Sequence, residues 1–253
     1  MAVLEVRDLW KGFGGVQAVA GVGFAVEEGE RLAMIGPNGA GKSTCFNMLN
    51  GQIAPDRGSI RLNGREIAGM SPREVCRLGV GRTFQITATF ASMTVAENVQ
   101  TALISRHRRL FGLWRPAASL YRDEAMALLR RVGMDDQAGR ACGVLAYGDL
   151  KRLELGIALA NDPALLLMDE PTAGMAPRER AELMALVSGI VAERRIAVLF
   201  TEHDMDIVFG HADRILVLDR GAPVAIGAPA AVRADARVRA IYLGADEGAP
   251  VDG

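Results

Sequence analysis

Eight consecutive residues, Gly36-Pro37-Asn38-Gly39-Ala40-Gly41-Lys42-Ser43, follow the spacing G-x-x-x-x-G-K-[ST]. Glycines at these positions let the backbone curl until successive N–H groups face inward as an anion nest. A helix starting at Lys42 adds the positive end of its dipole. Lys42 supplies a point charge to β- and γ-phosphates, and the Ser43 hydroxyl is a ligand for Mg²⁺. Thr44 follows at the same helix start. The candidate phosphate contacts are therefore Gly36, Asn38, Gly39, Gly41, Lys42, Ser43 and Thr44.

A second group of reactive residues stands at the end of an apolar run, Leu165-Leu166-Leu167-Met168-Asp169-Glu170. Alone, two acids after a strand read as a solvated helix cap. With the phosphate cradle upstream, Asp169 reads as the carboxylate that holds Mg²⁺ directly or through water. Glu170 is then placed to orient or deprotonate an attacking water. Another apolar run, Ala197 to Phe200, ends in Thr201-Glu202-His203. If the strands ending at Gly36, Asp169 and His203 share one sheet, His203 reaches the same edge, where it contacts the γ-phosphate and steadies the water beside Glu170.

Positioning these groups requires a layered α/β core. A short strand is expected at Arg31–Ile35, leading through the glycines into a helix over Lys42–Leu49. Two β-runs, Val3–Leu9 and Val22–Val26, precede it around the glycine-rich stretch Gly12–Gly15. A turn at Pro55–Gly58 and a strand at Ser59–Leu62 follow, closed by Asn63-Gly64. Ser71-Pro72-Arg73-Glu74 carries a helix N-cap, a first-turn proline and an acidic third position. The period then turns mostly helical from about Thr94 to Gly156, opening on the capping box Thr94-Val95-Ala96-Glu97 and including a helix over Ala117–Val132. Strand and helix alternate again as Leu165–Met168, Pro177–Arg194, Ile196–Phe200, Asp204–Gly210 and Arg214–Leu218. Such alternation predicts parallel strands, and the helical block within it predicts an inserted subdomain.

The division expected is one domain over 1–253, with a RecA-like α/β core and N-terminal β subdomain at 1–88 and 157–230. A helical subdomain occupies 89–156, and a C-terminal helix and tail 231–253. Half of the 253 residues are apolar, and the formal net charge is −1. That balance excludes a dedicated nucleic-acid binder, so no nucleic-acid partner is expected. Cys45, Cys76 and Cys142 form no C-x-x-C pair, which argues against a zinc site or a disulfide framework. The opening MAVLEVRDLW lacks the pattern of a secretory leader. The longest apolar runs fall well short of the roughly 20 residues of a membrane span. A soluble chain is expected, with any membrane role peripheral.

These residues, in this order, resemble the ATP-binding subunits of ABC transporters, and the resemblance spans the whole chain. It rests on the cradle, on Gly81-Arg82-Thr83-Phe84-Gln85, on the segment at Leu145, on Asp169-Glu170 and on His203. It implies a P-loop NTPase fold, ATP and Mg²⁺ as cofactors, and catalytic roles for Glu170, His203 and Lys42. Phe13 matches the aromatic that stacks on adenine. Gln85 matches the glutamine that touches Mg²⁺ and senses the permease, joining Ser43 and Asp169 around the metal. Leu145-Ala146-Tyr147-Gly148 matches the signature loop, which caps the γ-phosphate bound to an opposite subunit. The resemblance therefore implies a dimer, with a different ATPase subunit or with a second copy. It also implies two integral-membrane permease subunits, an indirect link to a periplasmic solute-binding protein, and a place on the cytoplasmic face of the inner membrane.

Within the family, Gly81–Gln85, Leu145–Gly148, Glu202-His203-Asp204-Met205 and Ile241-Tyr242-Leu243-Gly244 are most similar to the ATPase subunits of branched-chain amino acid transporters. Import of those or similar small solutes is the implied task. An export ATPase of the lipopolysaccharide-extracting kind and a non-transport ABC ATPase are the alternatives. Three departures from the common pattern stand out. Ala146 replaces a serine, removing one hydroxyl donor whose bond to a charged group is worth roughly 1.5–3 kcal/mol. Asp149 replaces a glutamine, and Ala176 stands where the next loop usually carries an aspartate that couples the two sites. A basic cluster, Arg106-His107-Arg108-Arg109 with Arg115 and Arg122, reads as a solvated helical face or a surface for acidic partners. Phe111, Leu113 and Trp114, interleaved with it, read as packing residues or a docking patch.

Overall fold

The computed structural model describes residues 2–83, 89–107 and 120–243. It opens on a long hairpin, β1 (Ala2–Phe13) and β2 (Val16–Glu27). Both strands extend beyond the expected runs because they continue through the glycine-rich stretch. The turn is Gly14-Gly15, with φ of 50° and 89°, the positive values that a two-residue hairpin turn needs. Then come β3 (Arg31–Ile35), α1 (Lys42–Leu49), β4 (Arg57–Leu62), β5 (Arg65–Glu66), α2 (Pro72–Arg77) and β6 (Val80–Thr83). The bounds of β3 and α1 match the expected ones.

The helical block holds α3 (Val95–Arg106), α4 (Arg122–Arg131) and α5 (Tyr147–Ala160). The α3 capping box forms as predicted, with Thr94 Oγ1 accepting from the Glu97 N–H and Glu97 from the Thr94 N–H. The helix expected over Ala117–Val132 needs correction. Among its described residues it runs from Arg122, because Tyr121 takes a left-handed φ of 56°. There the Leu120 carbonyl accepts from Gln100 Nε2 at 2.8 Å, and the Tyr121 ring stacks on His107 with centroids 4.5 Å apart. Asp123 and Glu124 in the first turn suit the positive end of a helix starting at that point.

The chain continues with β7 (Leu165–Asp169), α6 (Pro177–Arg194), β8 (Ala197–Thr201), α7 (Met205–His211), β9 (Arg214–Asp219) and β10 (Ala222–Gly227). Two short helices, α8 (Pro229–Ala234) and α9 (Ala236–Leu243), follow, separated at Asp235. Asp235 Oδ1 accepts from the Arg237 N–H at 2.8 Å, starting the second helix. Among the described residues no helix is long and apolar enough to cross a membrane.

The strands form two sheets, an antiparallel β2-β1-β4-β5 and a six-stranded β10-β9-β3-β8-β7-β6. In the larger sheet β9, β3, β8, β7 and β6 run parallel, and β10 pairs antiparallel at the edge. Alternate residues of its central strands enter two different cores. Leu32, Met34, Leu165, Leu167, Ala197 and Leu199 pack toward α1 and the antiparallel sheet. Ala33, Ile35, Leu166, Met168, Val198 and Phe200 pack toward α6 and the helical block. Burial on both faces is why these strands are continuous apolar runs rather than alternating ones. In β7 and β8 the polar residues, Asp169 and Thr201, stand at the carboxyl ends, the edge where open α/β sheets bind ligands.

Candidate functional site

The phosphate loop runs from the end of β3 into α1. Gly41 is one of its tight points. Its φ is 97°, and a Cβ there would lie 2.4 Å from the Ala18 carbonyl of β2. The loop is thus held against the first hairpin, which also bonds the turn between β9 and β10 through Ala20 N–H to the Gly221 carbonyl at 2.8 Å. The first intrahelical bond of α1 is from Cys45 N–H to the Gly41 carbonyl at 2.9 Å. The N–H groups of Lys42, Ser43 and Thr44 therefore precede it and belong to the free first turn. Ser43, Asn38 and Gly39 are exposed at the mouth of the loop.

Lys42 is buried, and its ammonium donates to the carbonyls of Gly36 at 2.6 Å and Pro37 at 3.1 Å. Burial pushes its pKa below the ordinary lysine value, against the opposing pull of the Glu170 and Asp169 carboxylates. A cation held partly desolvated beside the loop is suited to meet phosphate charge.

Parallel register brings the reactive carboxylates together. Asp169 of β7 lies directly opposite Thr201 of β8. The Thr201 hydroxyl donates to Asp169 Oδ1 at 2.8 Å and accepts from the Glu170 N–H at 3.0 Å. The other carboxylate oxygen of Asp169 meets Arg82 Nη2 of β6 at 3.3 Å. Arg82 also donates to Asn47 at the back of α1, at 3.0 Å. Glu170 itself has a left-handed φ of 48°, a strained conformation for a side-chain-bearing residue. That backbone turn aims its carboxylate along the sheet edge, where Oε1 lies 3.0 Å from His203 Nε2.

Hard oxygen donors at this edge fit Mg²⁺. The Ser43 hydroxyl opens α1 and the Asp169 carboxylate ends β7, and among the described residues no cluster of three or more His, Cys, Asp or Glu forms a cage. Mg²⁺ needs none, since it takes one or two protein oxygens together with phosphates and water.

Phe13 ends β1 beside the hairpin turn and is about half exposed, with Lys11 Nζ 5.5 Å from its ring centroid. Asp56 braces this corner, accepting from Lys11 Nζ at 2.7 Å and from the Gly12 N–H at 2.8 Å. Gln85 lies outside the described residues, as do Arg108, Arg109, Arg115, Phe111, Leu113 and Trp114.

Leu145, Ala146, Tyr147 and Gly148 open α5, with Ala146 at the N-cap position in extended conformation. Their neighbours lie in the loop after Glu170 and the first turn of α6. The Tyr147 ring faces Gly174, and Glu179 and Met175 line Gly148. Asp149 Oδ2 accepts from Gln137 Nε2 at 3.1 Å, and Ala176 caps α6 with its N–H donated to Glu179 at 3.1 Å.

Sequence reasoning left Arg82, Thr172, Arg180 and Thr201 without roles. Thr201 could have been found from the register of two equal apolar runs. Arg82 carried no signal beyond its place beside Gln85.

Residues 19–173 match the ABC transporter family. The chain is 42% identical over 233 residues to the high-affinity branched-chain amino acid transport ATP-binding protein BraF of Pseudomonas aeruginosa, covering 88% of this chain and 90% of that protein. It is 39% identical, with the same coverage, to the protein LivG of Escherichia coli K12, which bears the same description. The ADP conformation of MJ1267, an ATP-binding cassette of an ABC transporter, superposes with a TM-score of 0.86 at 31% identity, covering 96% of this chain and 99% of that one. The chain belongs to the ABC transporter family, as one of its ATP-binding, ATP-hydrolysing subunits.

Proposed function

We propose that this subunit hydrolyses Mg-ATP to drive import of branched-chain amino acids or a similar small solute. The observation that carries the reading is the convergence, on one sheet edge, of the phosphate loop, Asp169, Glu170 and His203, with His203 Nε2 3.0 Å from Glu170 Oε1. Kinship with the branched-chain transport proteins supports the substrate class.

In this reading the N–H groups of the loop and α1 hold the phosphates, with Lys42 meeting the β- and γ-oxygens. Ser43, Asp169 and Gln85 would hold Mg²⁺, which would supply positive charge beside the phosphates. Glu170 orients and deprotonates the attacking water, and His203 fixes the Glu170 carboxylate and contacts the γ-phosphate. Phe13 stacks on adenine. The segment Leu145–Gly148 caps ATP bound to a second ABC ATPase subunit, either a different chain or another copy. The pair docks on two permease subunits at the cytoplasmic face of the inner membrane, served by a periplasmic solute-binding protein. The working division is a core of 1–88 and 157–230, a helical subdomain of 89–156 carrying the capping loop, and a C-terminal segment of 231–253.

The test is Mg-ATP hydrolysis by the purified chain across protein concentration, beside Glu170→Gln. Turnover rising faster than linearly, and lost in the variant, supports a working homodimer. ATP binding without turnover indicates a different partner subunit. Folded protein that binds no ATP defeats the reading.

A further inference from the structure

The two residues flanking His203 are carboxylates, and both are tied to the loop that follows Glu170. Glu202 is buried, with 4% of its surface exposed, directly after an entirely buried strand. A carboxylate there is tolerable only if its oxygens are satisfied. Oε1 accepts from the Thr172 N–H at 2.8 Å and from the Thr172 hydroxyl at 2.6 Å. Oε2 accepts from the N–H of His203 at 3.3 Å. Thr172 is itself 1% exposed and stands two residues after Glu170.

On the other side, Asp204 caps α7, its Oδ1 accepting from the Asp206 and Ile207 N–H groups at 3.0 and 3.3 Å. Its Oδ2 accepts from Arg180 Nη1 at 2.7 Å, and Arg180 Nε donates to the Met175 carbonyl at 2.8 Å. The His203 backbone is therefore clamped from both neighbours to residues 172–175. Glu170 lies just before that same stretch, its own N–H bonded to Thr201 at the end of the strand that leads to His203.

We infer that Glu202 is a positioning residue for ATP hydrolysis, which through Thr172 sets the placement of His203 against Glu170, with Arg180–Asp204 as a second tie. Its side chain accepts from Thr172 and from the His203 backbone. Its effect is on the geometry of the 3.0 Å His203–Glu170 contact. This rests on the reading of the site as an ATPase centre, and it assigns a task to a buried acid that this chemistry does not otherwise need.

The test uses Thr172→Val, which keeps the side-chain shape and deletes only the hydroxyl, beside Glu202→Gln, which keeps an oxygen toward Thr172 but offers no second acceptor to His203. The imidazole resonances of His203, identified by their loss in His203→Ala, are followed by NMR in the full-length chain. Steady-state turnover is measured in the ATP-hydrolysing assembly. The expected result is a shift of the His203 resonances in Thr172→Val, although that side chain bonds Glu202 and not the imidazole. A fall in kcat on the order of tenfold to 100-fold accompanies it, the scale for a displaced catalytic group, with the KM for ATP within about twofold. In a His203→Ala background, Thr172→Val adds no further loss. Unshifted resonances, losses carried by KM, or additive losses in the double variant overturn the inference. If the wild-type protein binds no ATP, the ATPase reading fails, while the resonances still decide whether Thr172 and Glu202 place His203.

Discussion

His203 Nε2 and Glu170 Oε1 lie 3.0 Å apart across the ends of two adjacent parallel strands. Neither residue reaches the other through local sequence. β7 and β8 bring them together by register, and the positive φ of Glu170 turns its side chain along the sheet edge.

That relationship predicts a shared loss of turnover. Glu170→Gln and His203→Ala each lower kcat by about 10²–10⁴-fold, the span for a general base and its orienting partner. The double variant falls little below the worse single one, because the two side chains act as a unit. ATP affinity measured by equilibrium binding changes little, since the phosphate loop is untouched. Additive effects, or equal losses in binding, would contradict the paired role.

Gly41→Ala tests the loop proposed to hold the phosphates. Alanine there must adopt a φ of 97° and place Cβ 2.4 Å from the Ala18 carbonyl. Forced left-handed backbone costs about 1–3 kcal/mol, and the clash shifts the hairpin away from α1. We expect a lower melting temperature by calorimetry and ATP affinity reduced by more than about tenfold, since loop curvature sets the direction of the N–H donors. A variant with native affinity would show that the loop tolerates a different curl.

Acid sensitivity is predicted at a point remote from the nucleotide. Burial pushes the Asp213 carboxyl upward, but hydrogen bonds from the Arg31 guanidinium and N–H, with the guanidinium charge, outweigh it, and its pKa lies below the ordinary value. A depressed folded-state carboxyl contributes stability that is fully present above the unfolded value, about 3.9. The contribution is lost as pH falls through the lower folded value. Asp213→Asn should therefore be less stable than wild type at neutral pH, and the difference should shrink below about pH 4. Melting curves at a series of pH values measure it. A difference that is constant across the series would remove the linkage to Asp213 ionisation.

The parts legible in sequence share a physical cause. Strands buried on both faces, such as Leu165–Asp169 and Ala197–Thr201, are unbroken apolar runs, and their ends show where the polar site residues must lie. The phosphate loop is legible because Gly36, Gly39 and Gly41 take positive φ values that side-chain-bearing residues rarely adopt. Other pieces depend on tertiary contact. β6 is a strand because Val80–Thr83 pairs with β7, though Gly81 and Arg82 weaken its pattern; Gly81 fits where a Cβ would stand 3.2 Å from Pro163. β10, at the sheet edge and half exposed, carries Pro223 and no clean alternation. Arg82, Thr172 and Arg180 matter through partners 87, 30 and 24 residues away, which no local pattern encodes.

Ala146→Ser separates two consequences of one missing hydroxyl. Ala146 stands at the N-cap of α5 in extended backbone conformation, with no side-chain acceptor for the first-turn N–H groups. Serine fits that conformation and caps the helix, which is worth about 0.5–2 kcal/mol. The melting temperature should rise. On the proposed reading, the same hydroxyl, facing out at the start of α5, would supply a further donor to a phosphate bound by the partner subunit. If that donor limits hydrolysis, kcat in the assembled dimer rises alongside stability, because a bond to a developing charge acts in the transition state. A rise in stability with unchanged kcat would show that the backbone N–H groups of Tyr147 and Gly148 already suffice.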